Sequence, residues 1–430
     1  MNLFLKRLRC FRQLLRQQWL SPEQMSALRR RRLRRLVRHA GRCVPYYRRM
    51  FAQLGMRPED IRDEGDFRRL PLLKKTDITA HGLRPFLSEG YDPARTTTVM
   101  TSGSSGRPMT FIRTPEEEAL GHLTYPRALM ANGVRPWHRQ VVIMPANRLS
   151  DAKSPLGALK RRWKLFLEAG PASDRQIEVL RAFRPSVIRG YNGNLQMLAA
   201  AIEERGITDI RPRFVFGTAE LLDAGARERI NRAFGVEMRD LYGCSEAHCV
   251  AWECPAGEGY HINADTVLVE FLRHGRSVAP GEPGRVVITP LHVFAMPLLR
   301  YEIGDIGIPL AGRCACGRGL PMMKMIQGRS DDFVTLPSGF VVPPVGTFAD
   351  VFEARPDVAE FFLLQEKKDL IRVRIVPRGR LQPDTLDRLQ RDIEALTRHE
   401  AVVEIVVVDR LERLPGGKIR RIASRVPVSL

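Results

Sequence analysis

Apolar positions along the chain follow two periods. Over residues 3–20, Phe4, Leu8, Phe11, Leu15 and Trp19 recur at helical spacing with Arg and Lys between them. A second basic helix is predicted from Ser26 to His39, with Leu28, Leu33, Leu36 and Val37 as its apolar positions. Short strand-like runs follow at Thr97–Met100 and Met109–Ile112. Beyond them the pattern alternates. Helices are expected over 115–133, 174–184 and 195–205, and strands over 140–145, 186–191 and 213–216, with a basic loop at 153–164. Strands alternating with helices predict a mainly parallel sheet covered on both faces, with ligands at the carboxyl ends of its strands. The remainder reads as a compact α/β module, with helices near 347–354 and 383–398 and strands at 360–364, 370–376 and 402–408.

Composition narrows the class. A chain of 430 residues can bury a sizeable core and is expected to have two or more domains. Its net charge of +21, an Arg surplus concentrated near the start, suits anionic partners such as nucleotides, coenzyme A, nucleic acid or an anionic membrane surface. No apolar run reaches the length of a transmembrane helix, and charges interrupt any signal-peptide core at the start. Seven Cys without a secretory signal point to the reducing cytoplasm. The basic helix at the start has two readings: it lies on a membrane surface, or it packs on the body with a solvated basic face.

Chemistry concentrates at Thr101-Ser102-Gly103-Ser104-Ser105-Gly106-Arg107-Pro108, between the two short strands. Two Gly and several hydroxyls make a tight turn whose backbone N–H groups can wrap phosphate oxygens, and Arg107 adds a positive charge. The spacing is not that of a Walker loop, and the plain alternative is a polar hairpin turn. Further along stand Gly217-Thr218-Ala219-Glu220, Leu241-Tyr242-Gly243-Cys244-Ser245-Glu246, Arg300-Tyr301 with Gly304-Asp305, Gly328-Arg329-Ser330-Asp331, and Pro415-Gly416-Gly417-Lys418. Read singly, these are a helix N-terminus that Thr218 or Asp223 could cap, a strand end with an acid, a turn Asp, and a surface Gly-Lys turn. Together and in this order they resemble the signatures of the adenylate-forming superfamily. Val44-Pro-Tyr-Tyr47, Cys254 and His261 point within it to the branch of phenylacetate–CoA ligases and capsular-polysaccharide proteins. The likeness covers roughly residues 40–430.

The resemblance implies an α/β fold. A large N-terminal domain with mainly parallel sheets, residues 1–330, would include a basic helical segment at 1–40. A small mobile α+β domain, 331–430, would be joined to it by a hinge at Asp331. It implies ATP-dependent activation of a carboxylic acid to an acyl-adenylate, then transfer to a thiol. Coenzyme A is the expected acceptor, with a carrier-protein thiol or an amine as alternatives. The loop 101–107 would hold phosphates, Gly217–Glu220 and Tyr242 the adenine, Ser245 the α-phosphate and Asp305 the ribose. Glu246 would ligate Mg²⁺, Arg329 would contact ribose or phosphate, and Lys418 would be the essential lysine. The expected acyl site draws on 122–146, 189–194 and 217–220, and Tyr191 suits an aryl or medium-length acyl group. No specific nucleic-acid partner is expected. The rival from another class is a nucleic-acid- or membrane-binding protein with a degenerate core; intact Glu246, Asp305 and Lys418 argue against it.

A separate set concerns metal. Cys254, His261, Cys314 and Cys316 supply three thiolates and one imidazole, a closed tetrahedral donor set for structural Zn²⁺. Cys249 and His248 are the rival ligands. Cys10, Cys43 and Cys244 read as plain thiols.

Overall fold

The computed structural model describes residues 3–92, 96–100, 109–144, 163–169, 174–220, 222, 224–257, 259–329, 332–342, 344–348, 351–352, 354–412 and 421–426. The loop 101–108, Asp223, Asp331 and Lys418 lie outside the described residues, as does most of the basic loop at 153–164.

The chain opens with helices α1 (Leu3–Gln17), α2 (Pro22–Cys43), α3 (Pro45–Gln53), α4 (Glu64–Phe67) and α5 (Lys75–His81). Ser21 and Gln24 form a reciprocal capping box at the start of α2, with Pro22 in its first turn. Pro45 sets the break before α3, because a residue preceding proline is pushed out of the helical region; Val44 is extended accordingly. A hairpin follows, β1 (Thr97–Met100) and β2 (Thr110–Arg113), paired antiparallel with Thr97 opposite Arg113. The helix expected over 115–133 is two helices, α6 (Pro115–His122) and α7 (Thr124–Ala131). Pro126 has no N–H to offer the carbonyl of His122, so the chain restarts its winding there.

Next come β3 (Gln140–Met144), β4 (Lys164–Glu168), β5 (Val187–Tyr191) and β6 (Phe214–Thr218), with helices Asp174–Phe183, Asn192–Glu204 and Ala224–Phe234. Then β7 (Arg239–Cys244), β8 (His248–Glu253), β9 (Tyr260–Ile262), β10 (Val267–Arg273), β11 (Arg276–Ser277), β12 (Gly284–Pro290), β13 (Tyr301–Leu310) and β14 (Met322–Arg329) run almost without helices. The last stretch holds β15 (Val334–Thr335), β16 (Val341–Val342), β17 (Val358–Lys367), β18 (Leu370–Pro377), helix Thr385–Leu396, β19 (Val402–Val407) and β20 (Ile422–Ser424). The segment expected to be helical near 347–354 opens with a π-helical turn at Pro344–Phe348, and Val351 and Phe352 are α-helical.

Two compact units result. The first comprises Met1–Arg135, Arg239–Ile303 and Gly307–Met325. Its strands pair antiparallel, β7 with β8, β8 with β9, β9 with β14 and β10 with β12. Leu33, Leu36, Val37, Tyr47 and Phe51 from α2 and α3 share one core with Leu268, Leu291 and Leu299. Each such side chain, once buried, contributes about 1.5–3 kcal/mol. Helix α1 joins the same unit through its C-terminal half, where Leu14, Gln17 and Gln18 are buried, while Leu5 and Leu8 at its other end are exposed. Arg127 on α7, fully buried, binds the Asp265 carboxylate through both terminal nitrogens at 2.6 and 2.8 Å and Asn263 at 2.6 Å.

The second unit comprises Pro136–Met238, Gly304–Ile306 and Ile326–Leu430. Here β3, β4, β5 and β6 are all parallel, as expected from the alternation. Val141, Ile188, Val215 and Leu195 lie in their core. A second sheet, β19–β18–β17–β20, packs Ile371, Val373 and Leu363 against Leu389 and Ile393. Buried Gln365 spends its amide on both backbone groups of Thr335, at 3.0 and 2.8 Å. The fold class is therefore α/β as expected. The parallel pairs β3–β4, β3–β5 and β5–β6 lie in this unit, whereas β7–β8, β8–β9, β9–β14 and β10–β12 of the first unit are antiparallel.

Candidate functional site

Strand β7 carries Tyr242 to the turn that displays Ser245 and Glu246 before β8 begins. The hairpin bulges between Tyr242 and Gly243. Gly243 is dictated by close approach: a Cβ there would lie 2.5 Å from the His248 carbonyl oxygen and 3.1 Å from the Tyr125 hydroxyl. His248 closes the turn at φ 61, a left-handed conformation that costs a β-carbon residue strain. Glu246 is buried, while Tyr242 and Ser245 are half-buried.

A polar cluster lies behind this turn. Arg113, at the end of β2 and 1% exposed, donates one terminal nitrogen to the Ser245 carbonyl oxygen. Its other terminal nitrogen donates to Glu118 at 2.8 Å and lies 3.4 Å from His248 Nε2. The Glu118 carboxylate also lies 3.1 Å from His248 Nε2 and 3.0 Å from His122 Nε2. Glu118 and His122 meet because they are four residues apart on α6. That helix is fixed at its start by a capping box of Thr114 and Glu117. Glu117 also accepts the backbone N–H groups of Phe294, at 2.7 Å, and Ala295, at 3.1 Å. Burial works to raise the Glu118 carboxyl, but hydrogen bonds from His122 and His248 and the nearby Arg113 outweigh it and hold it well below the usual carboxylate range. Burial lowers His248 to about 4 against the pull of Glu118, and lowers His292 behind it to about 3.

In the second unit, Gly217 is the penultimate residue of β6, where a Cβ would sit 1.9 Å from Asn192 Oδ1 and 2.6 Å from Met238 Cε. Ala219 adopts φ 70. Glu220 accepts the N–H of Gly193 at 2.7 Å, and its carbonyl accepts from the Asn192 side chain at 2.8 Å. Glu220 thus holds the start of the helix Asn192–Glu204, a role the sequence did not suggest. Thr218 is half-buried at the strand end. Asp305 lies within β13 after Gly304 at φ 85, half-buried, rather than on a turn. Arg329 is the last residue of β14.

The four metal candidates come together, their ligand atoms all within 4.8 Å of one another. Cys254 follows β8, His261 lies on β9, and Cys314 and Cys316 sit in the turn before β14. Cys254 and Cys314 sulfurs are 3.3 Å apart, and His261 Nε2 is 3.2 Å from the Cys316 sulfur. Backbone N–H groups of Ala256 and Cys316 point at the Cys254 and Cys314 sulfurs, each at 3.4 Å, as in thiolate knuckles. Gly257 and Gly317, both at φ 79, close the two turns. A buried Cys₃His set with this spacing fits zinc. The turn after α1 packs here: Gln18 accepts from Arg318 at 3.0 Å, and the Arg318 guanidinium lies 4.7 Å from the Trp19 ring centre. The rival ligands fall away. Cys249 is buried with its thiol directed at the Ala251 carbonyl, and His248 belongs to the Glu118 cluster.

Comparison with known proteins bears on the whole chain. A phenylacetate-coenzyme A ligase of Thermus thermophilus is 28% identical over 439 residues, covering 94% of this chain and 97% of that protein. The chain is similar to that phenylacetate–CoA ligase over nearly the whole length of both. Protein CapK of Staphylococcus aureus is 26% identical over 249 residues, 57% of this chain and 54% of its own. Among solved structures, 2-hydroxyisobutyryl-CoA ligase in the postadenylation state, in complex with R3-HIB-AMP, matches with a TM-score of 0.77 at 20% identity. That match covers 95% of this chain and 91% of that one. At that identity the likeness shows that the two chains share a fold. No protein-family model matches the chain. The likeness to the Thermus phenylacetate–CoA ligase, by its extent, takes in both units.

Proposed function

We propose that the chain is an ATP-dependent, AMP-forming carboxylate–CoA ligase. The observation that carries this is the nearly full-length likeness to a phenylacetate-coenzyme A ligase. The turn bearing Ser245 and buried Glu246 supports it. A carboxylate oxygen attacks the α-phosphorus of ATP and pyrophosphate leaves. A thiolate then attacks the acyl carbonyl and AMP leaves. The acceptor is coenzyme A, with a carrier-protein thiol or an amine as the alternatives to be separated by assay. Loop 101–107 cradles phosphates, Tyr242 and Gly217–Glu220 border the adenine, Ser245 takes the α-phosphate and Asp305 the ribose hydroxyls. Glu246, an acid on a tight turn, suits a hard cation; it would hold Mg²⁺, which supplies charge neutralisation at the phosphates when bound. Arg329 and Lys418 complete the set, with 331–430 as the mobile domain turning about Asp331.

Zinc at Cys254, His261, Cys314 and Cys316 is assigned a structural role, since all four positions of a tetrahedron are taken by protein. Among the described residues no helix is long and apolar enough to cross a membrane. None of the seven cysteines is in a disulfide, in keeping with a cytoplasmic site. Peripheral contact with an anionic membrane is supported by exposed Leu5 and Leu8 on the Arg-rich α1.

The test is a pyrophosphate-release screen over aryl and medium-chain carboxylic acids, with and without coenzyme A. Release that depends on one acid class, with AMP formed in step with thioester, is expected. No acid above background would overturn the reading.

A further inference from the structure

The polar cluster behind the Ser245–Glu246 turn has no place in the chemistry just described, yet it joins two of the segments that chemistry needs. Strand β2 begins two residues after Pro108, the last residue of the Gly-rich loop, and ends at Arg113. Arg113 is opposite Thr97 on β1, the other arm of the same loop. Its side chain crosses to the Ser245 carbonyl, 132 residues away in sequence. The guanidinium is a planar fork, and here both prongs are engaged: one on Ser245, one on Glu118 at 2.8 Å. Glu118 cannot drift, because α6 is locked through Glu117 to the backbone of Phe294 and Ala295. The far side of the turn is held as well. The His248 ring lies against Gly121, where a Cβ would be 2.1 Å from Nδ1, edge-on to His122 at 4.8 Å between ring centres.

We infer that Arg113, Glu118 and His248 form a brace that fixes the turn carrying Ser245 and Glu246 to the base of the phosphate-binding hairpin, so that the two phosphate-binding segments keep one geometry. Arg113 and Glu118 are positioning residues; neither touches the reacting atoms. A site that must hold phosphates to within a fraction of an ångström needs its supporting side chains locked in this way. A Lys at 113 is a point donor without the planar fork that matches these two acceptors, and a neutral residue brings no charge to Glu118. Gly121 is part of the same device, since any side chain there would displace the His248 ring and the turn with it.

The inference rests on the ligase reading, and the test separates the two. Binding of Mg·ATP and of adenosine is measured by calorimetry on the wild type, Glu118→Gln, Arg113→Lys and Gly121→Ala, beside thermal melts of each. Glu118→Gln is nearly isosteric and partly exposed, so it keeps the fold. It should weaken Mg·ATP by about tenfold, the scale of one charge-assisted hydrogen bond. Adenosine, which has no phosphate, should bind unchanged. Arg113→Lys should lie between wild type and Gly121→Ala, the most damaged of the three toward Mg·ATP. A Glu118→Gln protein that binds both ligands like wild type overturns the brace. Equal loss for both ligands overturns it too, because that marks a merely structural role. A wild-type chain that binds neither ligand overturns the ligase reading and the inference with it.

Discussion

Two clusters of polar side chains sit in the first unit and are built on opposite principles. At the cysteine knuckle, Cys254, His261, Cys314 and Cys316 converge with no other charged side chain among their ligands, and two glycine turns fold the chain around them. Behind the Ser245–Glu246 turn, the Glu118 carboxylate gathers Arg113, His122 Nε2 and His248 Nε2, while His248 Nδ1 is buried without a partner among the described residues. The first set offers four ligand atoms to a single ion. The second carries its own counter-charge: Arg113 donates to the same Glu118 carboxylate that His122 and His248 approach, so the three acid and imidazole groups form an ion-pair network with it. Each set has a guanidinium beside it, Arg318 at Cys316 and Arg113 at Glu118, so the donor types separate the two: three sulfurs and an imidazole suit zinc, whereas one carboxylate is already shared by Arg113 and two imidazoles.

The largest effect should come from the knuckle. Cys316→Ser removes one of four ligands, and structural zinc contributes about 10 kcal/mol to the folding of small zinc domains. Purified wild-type protein should carry about one zinc per chain by metal analysis. The variant should carry little and melt far lower, while whatever folds keeps its Mg·ATP affinity. Zinc-free wild-type protein with an unchanged melting curve would place the knuckle alongside the brace as a self-satisfied cluster.

Next in size is Lys418→Ala, which should do the reverse: leave zinc and melting untouched and strike one chemical step. An ammonium placed between a carboxylate and the α-phosphate lowers the cost of bringing two anions together. The second half-reaction joins a thiolate to a neutral acyl carbonyl and lacks that repulsion. Adenylate formation should fall about a hundredfold, while thioester formation from supplied acyl-adenylate persists. Equal loss in both steps would contradict the division of labour between a mobile domain and a fixed one.

The same contrast explains what was legible in the sequence. The knuckle was readable because its ligands are few, chemically distinctive and flanked by Gly and Pro. So were the parallel strands β3, β5 and β6, whose apolar runs alternate with amphipathic helices. The brace was not. Arg113 and Glu118 are ordinary charges in ordinary contexts, and only pairing across 132 residues gives them a task. The antiparallel strands after β7 were missed for a related reason. Val267-Leu-Val-Glu-Phe-Leu-Arg273 is buried along most of its length, so the polar–apolar alternation of a half-exposed strand is absent. Glu220 looked like a binding residue, and its carboxylate turns out to hold a helix start; that does not exclude the adenine border, but it gives the position a structural duty first.

The smallest expected effect concerns protons. His292 lies next to the brace, lowered to about 3 by burial, then by His248, Arg113 and Arg32. Its Nδ1 is 3.3 Å from the Thr266 carbonyl, and its ring centre is 6.2 Å from that of His248. In the unfolded chain a histidine titrates near 6.5. Between that value and about 3, the unfolded state takes up a proton that the folded state refuses, so stability falls as pH falls through the window and levels off below it. His292→Gln removes that uptake and keeps a polar group near Thr266. The stability difference between wild type and variant should therefore shift against the wild type on acidification from pH 6.5 to 4.5, by at most about 1.4 kcal/mol per pH unit for one proton. That range lies above most carboxylate titrations, and His248, lowered to about 4, acts equally in both proteins. Parallel stability curves across the window would mean that His292 is protonated within the fold. The brace would then carry an extra positive charge that Glu118, already shared by Arg113, His122 and His248, would have to balance alone.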